Sequence, residues 1–223
     1  MNIINELFER VFVITCEKSL YRLQDLLPTL NNNNIVYEVI VAPRERHFTA
    51  CHTNFMMDQD VQNPLLASRG NSSLISANES VFLKCKYKNI KRFCIIEDDI
   101  LFRPGYTDFL QKIQNQIPED WNVLNLGWHC NTKDSNPDCL IKKITPEDIN
   151  VGTHFMGYNN ITEFMLEKFN CCDRAIDLFY RRMVYSKCNS YFSNERIFVQ
   201  KSFRTYEKDR TCNYKVYPSV IDV

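Results

Sequence analysis

Arg92-Phe93-Cys94-Ile95-Ile96-Glu97-Asp98-Asp99-Ile100-Leu101-Phe102 is the stretch on which the reading of this chain turns. Phe93 to Ile96 is a short apolar run that suits a strand buried on both faces. It stops at three consecutive carboxylates, and apolar residues resume at once. Placing three anions beside buried strand residues is costly unless something compensates them. A hard divalent cation would do so, because Mg²⁺ and Mn²⁺ prefer carboxylate and phosphate oxygens. Strand alternation predicts Glu97 and Asp99 on one side and Asp98 on the other. The alternative is a solvated acidic turn at a strand end.

Upstream, Arg10 to Thr15 is another apolar run. Leu20, Leu23, Leu27 and Leu30 follow helical spacing after Ser19, a fair N-cap. Ile35 to Val41 is a second β-branched run. Strand, helix and strand within about forty residues make a βαβ unit with a parallel sheet. Residues 43 to 73 are polar, with Pro43, Pro64 and Gly70, and read as a long loop that could carry a short helix. Asn78 to Lys88 predicts a helix, Tyr106 to Ile117 another, and Trp121 to Gly127 a strand. Beyond a polar, loop-like 130 to 150, a strand is expected at Thr153 to Tyr158. Helices are expected at Ile161 to Phe169 and Cys172 to Tyr185, and a closing strand before Pro218. Strand-helix alternation in the first 130 residues argues for an α/β fold with ligands at the carboxyl ends of the strands.

The chain has 223 residues, enough for one domain with a full core. Its 27 basic and 27 acidic residues balance, so charge advertises neither nucleic acid nor a membrane surface as partner. A phosphate-bearing ligand must then be held locally. No run approaches the roughly 20 apolar residues of a membrane span. The N-terminus lacks an apolar signal stretch, and none of the ten cysteines sits in a CxxC pair. Mostly reduced thiols in a reducing, cytoplasmic setting are expected. The four histidines show no zinc-ligand spacing with cysteines, and the sequons at Asn71, Asn78 and Asn160 read as chance products of an Asn-rich chain.

Phe93 to Phe102 resembles the "lIlEDDv" segment of glycosyltransferase family 25. Val11 to Thr15 with Ser19 and Arg22 is similar to that family's opening strand and Ser-x-x-Arg. Asp120 to Gly127 resembles its "wDil.LG" strand, Gly152 to Met156 its "GT.aY" stretch, and Tyr217 to Val220 its closing "yPplv". The similarity is patchy but in order along nearly the whole chain. The departures are Ser76 to Ser80, where the family has a Gly-Glu…Ser-His helix, and Ser193 to Arg196, where it has an Asp-containing segment. The Asn-, Cys- and Lys-rich style is similar to proteins of giant DNA viruses.

The resemblance implies a GT-A-type fold, a mostly parallel central sheet flanked by helices. It implies one domain over 1–223, with a nucleotide-sugar half at 1–127 and an acceptor half at 128–223. It implies a metal-dependent transferase that moves a hexose from a nucleotide-sugar donor, a UDP-sugar for preference, to a glycan or protein hydroxyl, with inversion. Mn²⁺ or Mg²⁺ would meet Asp99. Glu97 would face the ribose or a metal-bound water, and Asp98 the donor sugar. Thr15-Cys16 and Ala42-Pro43 would hold base and ribose, and Arg22 and Arg44 suit phosphate oxygens.

Inversion needs a base for the acceptor hydroxyl. Glu195 is the first candidate and His154 the second, although Glu195 could instead stand at a helix cap beside Ser193-Asn194. Trp128 and His129 could line the acceptor side, or be core tryptophan and incidental histidine. Asp222 could add a late metal ligand or lie on an exposed terminus. A nucleotidyltransferase would open with a Gly-rich phosphate loop and a Lys, which the segment after Ile14 lacks. A non-catalytic sugar- or nucleotide-binding module on a transferase fold is the remaining alternative.

Overall fold

The strand that ends at the carboxylates is the middle of the sheet. β3 (Arg92–Glu97) buries Phe93, Cys94, Ile95 and Ile96, alternately on its two faces. β1 (Arg10–Cys16) runs parallel beside it, with Phe12 opposite Ile95 and Ile14 opposite Glu97. β2 (Glu38–Ala42) runs parallel along the outer side of β1, with Ala42 opposite Cys16. The computed structural model describes residues 2–42, 64–128, 139–145, 148, 152–169 and 176–201. Arg44, His129, Asp222 and the strand expected near Pro218 lie outside them.

α1 (Ile3–Leu7), capped by the Asn2 side chain on Ile4 N, precedes β1. Between β1 and β2 the chain first makes a 3-10 turn over Glu17–Arg22, and α2 (Leu23–Asn32) follows. Ser19 therefore lies inside the turn and caps nothing. The tighter 3-10 winding also shifts the helical register. The buried face is Leu23, Leu26 and Leu30, and Leu20 is 44% exposed. Arg22 thereby comes to the junction of turn and helix.

α3 (Pro64–Lys88) begins well before the expected Asn78. Proline suits a first helical position, where its missing N–H is no loss. The buried face carries Ser73, Ser76 and Asn78 as well as Ile75, Val81, Phe82 and Cys85, so its hydrophobic period is broken. Asn78 Nδ2 donates to the Leu74 carbonyl at 2.9 Å, which satisfies that buried amide within the helix, and Ser80 Oγ donates to the Ser76 carbonyl at 2.8 Å.

After β3 come β4 (Ile100–Phe102), α4 (Tyr106–Gln114), β5 (Val123–Gly127), β6 (Ile141–Lys143) and β7 (Phe155–Asn159). α5 (Thr162–Phe169) and α6 (Ile176–Phe179) follow, and α6 runs into a π-helical turn over Tyr180–Val184. β8 (Ser190–Ser193) and β9 (Phe198–Gln200) complete the described chain. β4, β6, β8 and β9 were not expected. The large sheet has the order β2-β1-β3-β7-β5-β8-β6. β7 and β6 run against the other five strands, so most of the sheet shares one direction. β4 and β9 form a separate antiparallel pair.

One core lies between the sheet and α3, α5 and α6, built on Phe82, Phe93, Tyr158, Phe169 and Phe179. The other lies toward α1, α2 and α4, around Phe8, Leu110, Leu124, Phe155 and Phe198. The architecture is the α/β sheet flanked by helices that the sequence predicts.

β5 and β7 approach closely at Gly127. A Cβ there would stand 2.6 Å from Phe155 N and 2.8 Å from His154 Cδ2. Gly127→Ala should therefore lower stability by about 1–3 kcal/mol, as overpacking against backbone does. Urea unfolding checks it, and an unchanged midpoint would mean that the two strands can move apart freely.

Candidate active site

The turn between β3 and β4 holds the three carboxylates, and each finds a different set of partners. Glu97 closes β3, and its N–H donates to the His154 carbonyl at 3.0 Å. Its Oε1 accepts from Thr153 Oγ1 at 2.7 Å. Asp98 accepts from Thr15 Oγ1 and, at 3.3 Å, from Arg22 Nη1. Asp99 Oδ2 accepts from the same Arg22 nitrogen at 3.2 Å and from Gln200 Nε2 at 2.8 Å. The Asp99 carbonyl accepts from Lys201 N at 2.6 Å.

This differs from simple alternation. Residues 98 and 99 form a turn rather than extended strand. Asp98 and Asp99 consequently converge on one guanidinium, while Glu97 faces Thr153.

Asp98 and Asp99 are each only 7% exposed, which excludes a solvated acidic turn. Burial, then the neighbouring Asp99 charge, pushes the Glu97 carboxyl above the ordinary range against the opposing Thr153 hydrogen bond. Burial raises Asp98 although Thr15 and Arg22 oppose it. Burial and then Asp98 raise Asp99, with Arg22 and Gln200 opposing. Burial on its own would lower the Arg22 value, but Tyr21, Asp99 and Asp98 outweigh it and the net direction is up, so Arg22 stays charged.

Asp99 Oδ1 is buried and has no hydrogen-bond partner among the described residues. A charged, enclosed and unsatisfied oxygen is an atom that a hard cation would complete. The donor set is open rather than a cage. Among the described residues no group of three His, Cys, Asp or Glu side chains could hold a metal. A cation at Asp99 would therefore draw most of its shell from phosphate and water, as Mg²⁺ commonly does.

Thr15 stands at the end of β1 on Asp98, and Ala42 at the end of β2 is 2% exposed. His154 is 1% exposed just before β7. Glu195 is exposed in the connection between β8 and β9. No helix starts there, so the helix-cap alternative falls. Ser193 Oγ instead donates to the Glu195 carbonyl at 3.0 Å. Trp128 is buried, its Nε1 donating to the Ser193 carbonyl at 2.8 Å, with the Arg196 guanidinium 5.2 Å from its ring centroid.

Thr153 and Gln200 are site residues that sequence reasoning missed. Thr153 lies in the 152–156 stretch, just before β7. Nothing local marks Gln200, because its place depends on β9 pairing with β4. Two open surface hollows, of about 370 and 340 Å³, include none of Glu97, Asp98 and Asp99. The second, lined by Phe8, Arg92, Trp121 and Asn159, is where β3 begins, at the opposite end from the turn.

The sequence model described as glycosyltransferase family 25 (LPS biosynthesis protein) matches residues 8–208. A comparison with curated protein sequences returns no match. Among solved structures the chain is similar to A197 from STIV, at 12% identity and TM-score 0.44, covering 86% of this chain and 94% of that one. It is similar to a glycosyltransferase involved in the glycosylation of the major capsid of PBCV-1, at 7% identity and TM-score 0.46, covering 86% and 92%. It is also similar to the inositol-1-phosphate CTP transferase from T. maritima, at 12% identity and TM-score 0.46, covering 90% and 94%. At these scores the likenesses assign no residue a role.

The raised Glu97 carboxyl has a measurable sign. The folded protein holds that proton more tightly than the unfolded chain, so stability declines as pH rises from the ordinary value of 4.5 toward neutrality. In chelator-treated protein, Glu97→Gln should flatten this decline in urea unfolding across that range. Equal slopes in parent and variant would show that Glu97 is not the group responsible.

Proposed function

The chain belongs to glycosyltransferase family 25, and from that premise we propose that it moves a hexose from a UDP-sugar to a hydroxyl of a glycan or protein, with Mn²⁺ or Mg²⁺ held at Asp99 and with inversion. That it is a glycosyltransferase follows from the family. The observation that supports the metal is the buried Asp99 Oδ1, which has no hydrogen-bond partner among the described residues.

A cation bound there would supply Lewis-acid stabilisation of the departing nucleoside diphosphate. Asp99 Oδ1 would hold it, with Oδ2 fixed by Arg22 and Gln200. Glu97, oriented by Thr153, would face the ribose or a metal-bound water. Asp98 is held by Thr15 and Arg22 and would meet the donor sugar by exchanging one of these partners. Thr15 and Ala42, at the ends of adjacent strands, would line the base and ribose, and Arg22 and Arg44 the phosphates. Glu195 is given the base role ahead of His154, because it is exposed whereas the histidine is enclosed and could not meet an acceptor hydroxyl where it stands.

A reducing, cytoplasmic setting completes the proposal. The described cysteines Cys16, Cys85, Cys94, Cys139 and Cys188 are free. Burial pushes the Cys85 thiol up to about 12 and raises Cys94 as well, so neither is a reactive thiolate. No described helix is long and apolar enough to cross a membrane.

Calorimetric titration of UDP should show binding that strengthens with Mn²⁺, and Asp99→Ala should remove that dependence. In a UDP-sugar assay Asp99→Ala should lose on the order of 10²-fold or more in turnover. Glu195→Ala should lose roughly 10²–10⁴-fold while UDP affinity stays unchanged. UDP binding that ignores both Mn²⁺ and Asp99→Ala would remove the metal from the mechanism.

A further inference from the structure

We propose that Arg22 is a resident counter-ion that makes cation binding at Asp99 conditional on a diphosphate. This rests on the reading of Asp99 as the cation ligand and assigns a binding order that the reading alone does not contain. One Arg22 nitrogen stands 3.3 Å from Asp98 Oδ1 and 3.2 Å from Asp99 Oδ2. The Arg22 side chain is 20% exposed, so water screens these contacts only in part. Gln200 occupies the same Asp99 oxygen, which leaves Oδ1 buried and without a hydrogen-bond partner among the described residues.

The aspartate pair is thus partly neutralised before any metal arrives. A divalent cation joining Oδ1 would share one carboxylate with a guanidinium on the other oxygen. Two cations on one anion repel, and at the intermediate effective dielectric of a half-buried site that repulsion is substantial. The cation alone should therefore bind weakly.

A nucleoside diphosphate changes the balance. Its oxygens can bind the cation and accept from the planar guanidinium fork together. The repulsion is then relieved by a shared anion. Cation and diphosphate should each raise the other's affinity by the same factor, as linkage requires. Arg22 thus acts on both partners, repelling the lone cation through Asp99 and meeting the diphosphate directly. It also keeps the site from filling with metal when no donor is present.

The position of Arg22 makes this role possible. The 3-10 turn Glu17–Arg22 delivers the side chain from the end of β1 onto the β3–β4 turn, and the Tyr21 ring lies beside it with its centroid 6.0 Å from the guanidinium carbon. Lys201, the other described cation at this edge, bonds Asp25 through its side chain and reaches Asp99 through its backbone N–H.

The test is calorimetric titration of Mn²⁺, with and without saturating UDP, into the parent, Arg22→Gln, Arg22→Lys and Asp99→Ala, each checked by thermal melting. In the parent, UDP should tighten Mn²⁺ about tenfold or more. Arg22→Gln should bind Mn²⁺ alone about tenfold tighter than the parent and respond less to UDP, because the repelling charge is gone. Arg22→Lys keeps that charge and should leave Mn²⁺ alone as weak as in the parent. Arg22→Gln that binds Mn²⁺ alone no tighter than the parent overturns the proposal. So does Arg22→Lys that tightens it, and this variant decides the matter if glutamine at the position does not fold. Asp99→Ala that keeps the parent's Mn²⁺ affinity overturns the cation site itself, and Arg22's role with it. A lost Asp99→Ala signal beside an unchanged Arg22→Gln affinity sinks only the role of Arg22.

Discussion

Three consecutive carboxylates packed against a sheet must be compensated, and here the compensation comes from four separate parts of the chain. Thr15 is the next-to-last residue of β1, Arg22 precedes α2, Thr153 precedes β7, and Gln200 ends β9. Thr15 and Thr153 each bond one oxygen of their own, and Arg22 and Gln200 share Asp99 Oδ2. Removing one partner from a buried ionic group leaves the other uncompensated, which is far costlier than the pair is stabilising. The turn therefore imposes demands on the fold well beyond its own residues.

The sheet topology answers these demands. β7 enters antiparallel between β3 and β5, which brings the Thr153 hydroxyl and the His154 carbonyl to Glu97. Gly152, at φ 106°, makes the approach to that strand in a conformation few other residues adopt. Its carbonyl accepts from Asn125 Nδ2 at 3.0 Å, and the same nitrogen donates to the Tyr185 hydroxyl at 3.2 Å. The small β4–β9 pair plays the corresponding part for Asp99, since it sets Gln200 and the Lys201 N–H against that residue. Among the described residues Asp99 Oδ1 is the buried carboxylate oxygen of the triplet without a hydrogen-bond partner, and that asymmetry gives the site its direction.

Much of this was legible in the sequence, and the reasons are particular. β1 and β3 announced themselves because both are buried on two faces and read as continuous apolar runs. The acidic triplet stood out because it interrupts one of them. The first part of α3 was hidden, since Ser73, Ser76 and Asn78 occupy its buried face and break its apolar period. The 3-10 turn was hidden because Leu20 to Leu30 keeps helical spacing whether or not the first turn is tightened. The short strands β4, β6, β8 and β9 span only three or four residues each, too few to establish a period. Thr153 and Gln200 owe their roles to pairings between distant strands, which no local pattern encodes. The convergence of Asp98 and Asp99 on Arg22 required the turn geometry itself.

Anomalous diffraction at the manganese edge, from crystals grown with Mn²⁺ and UDP, addresses the central claim most directly. The account predicts one strong peak within about 2.0–2.6 Å of Asp99 Oδ1, as oxygen ligation of such a cation requires, with diphosphate oxygens on its far side. A nucleotide seated at this edge of the sheet with no manganese on Asp99, or manganese bound elsewhere while Asp99 Oδ1 stays unpartnered, would contradict it.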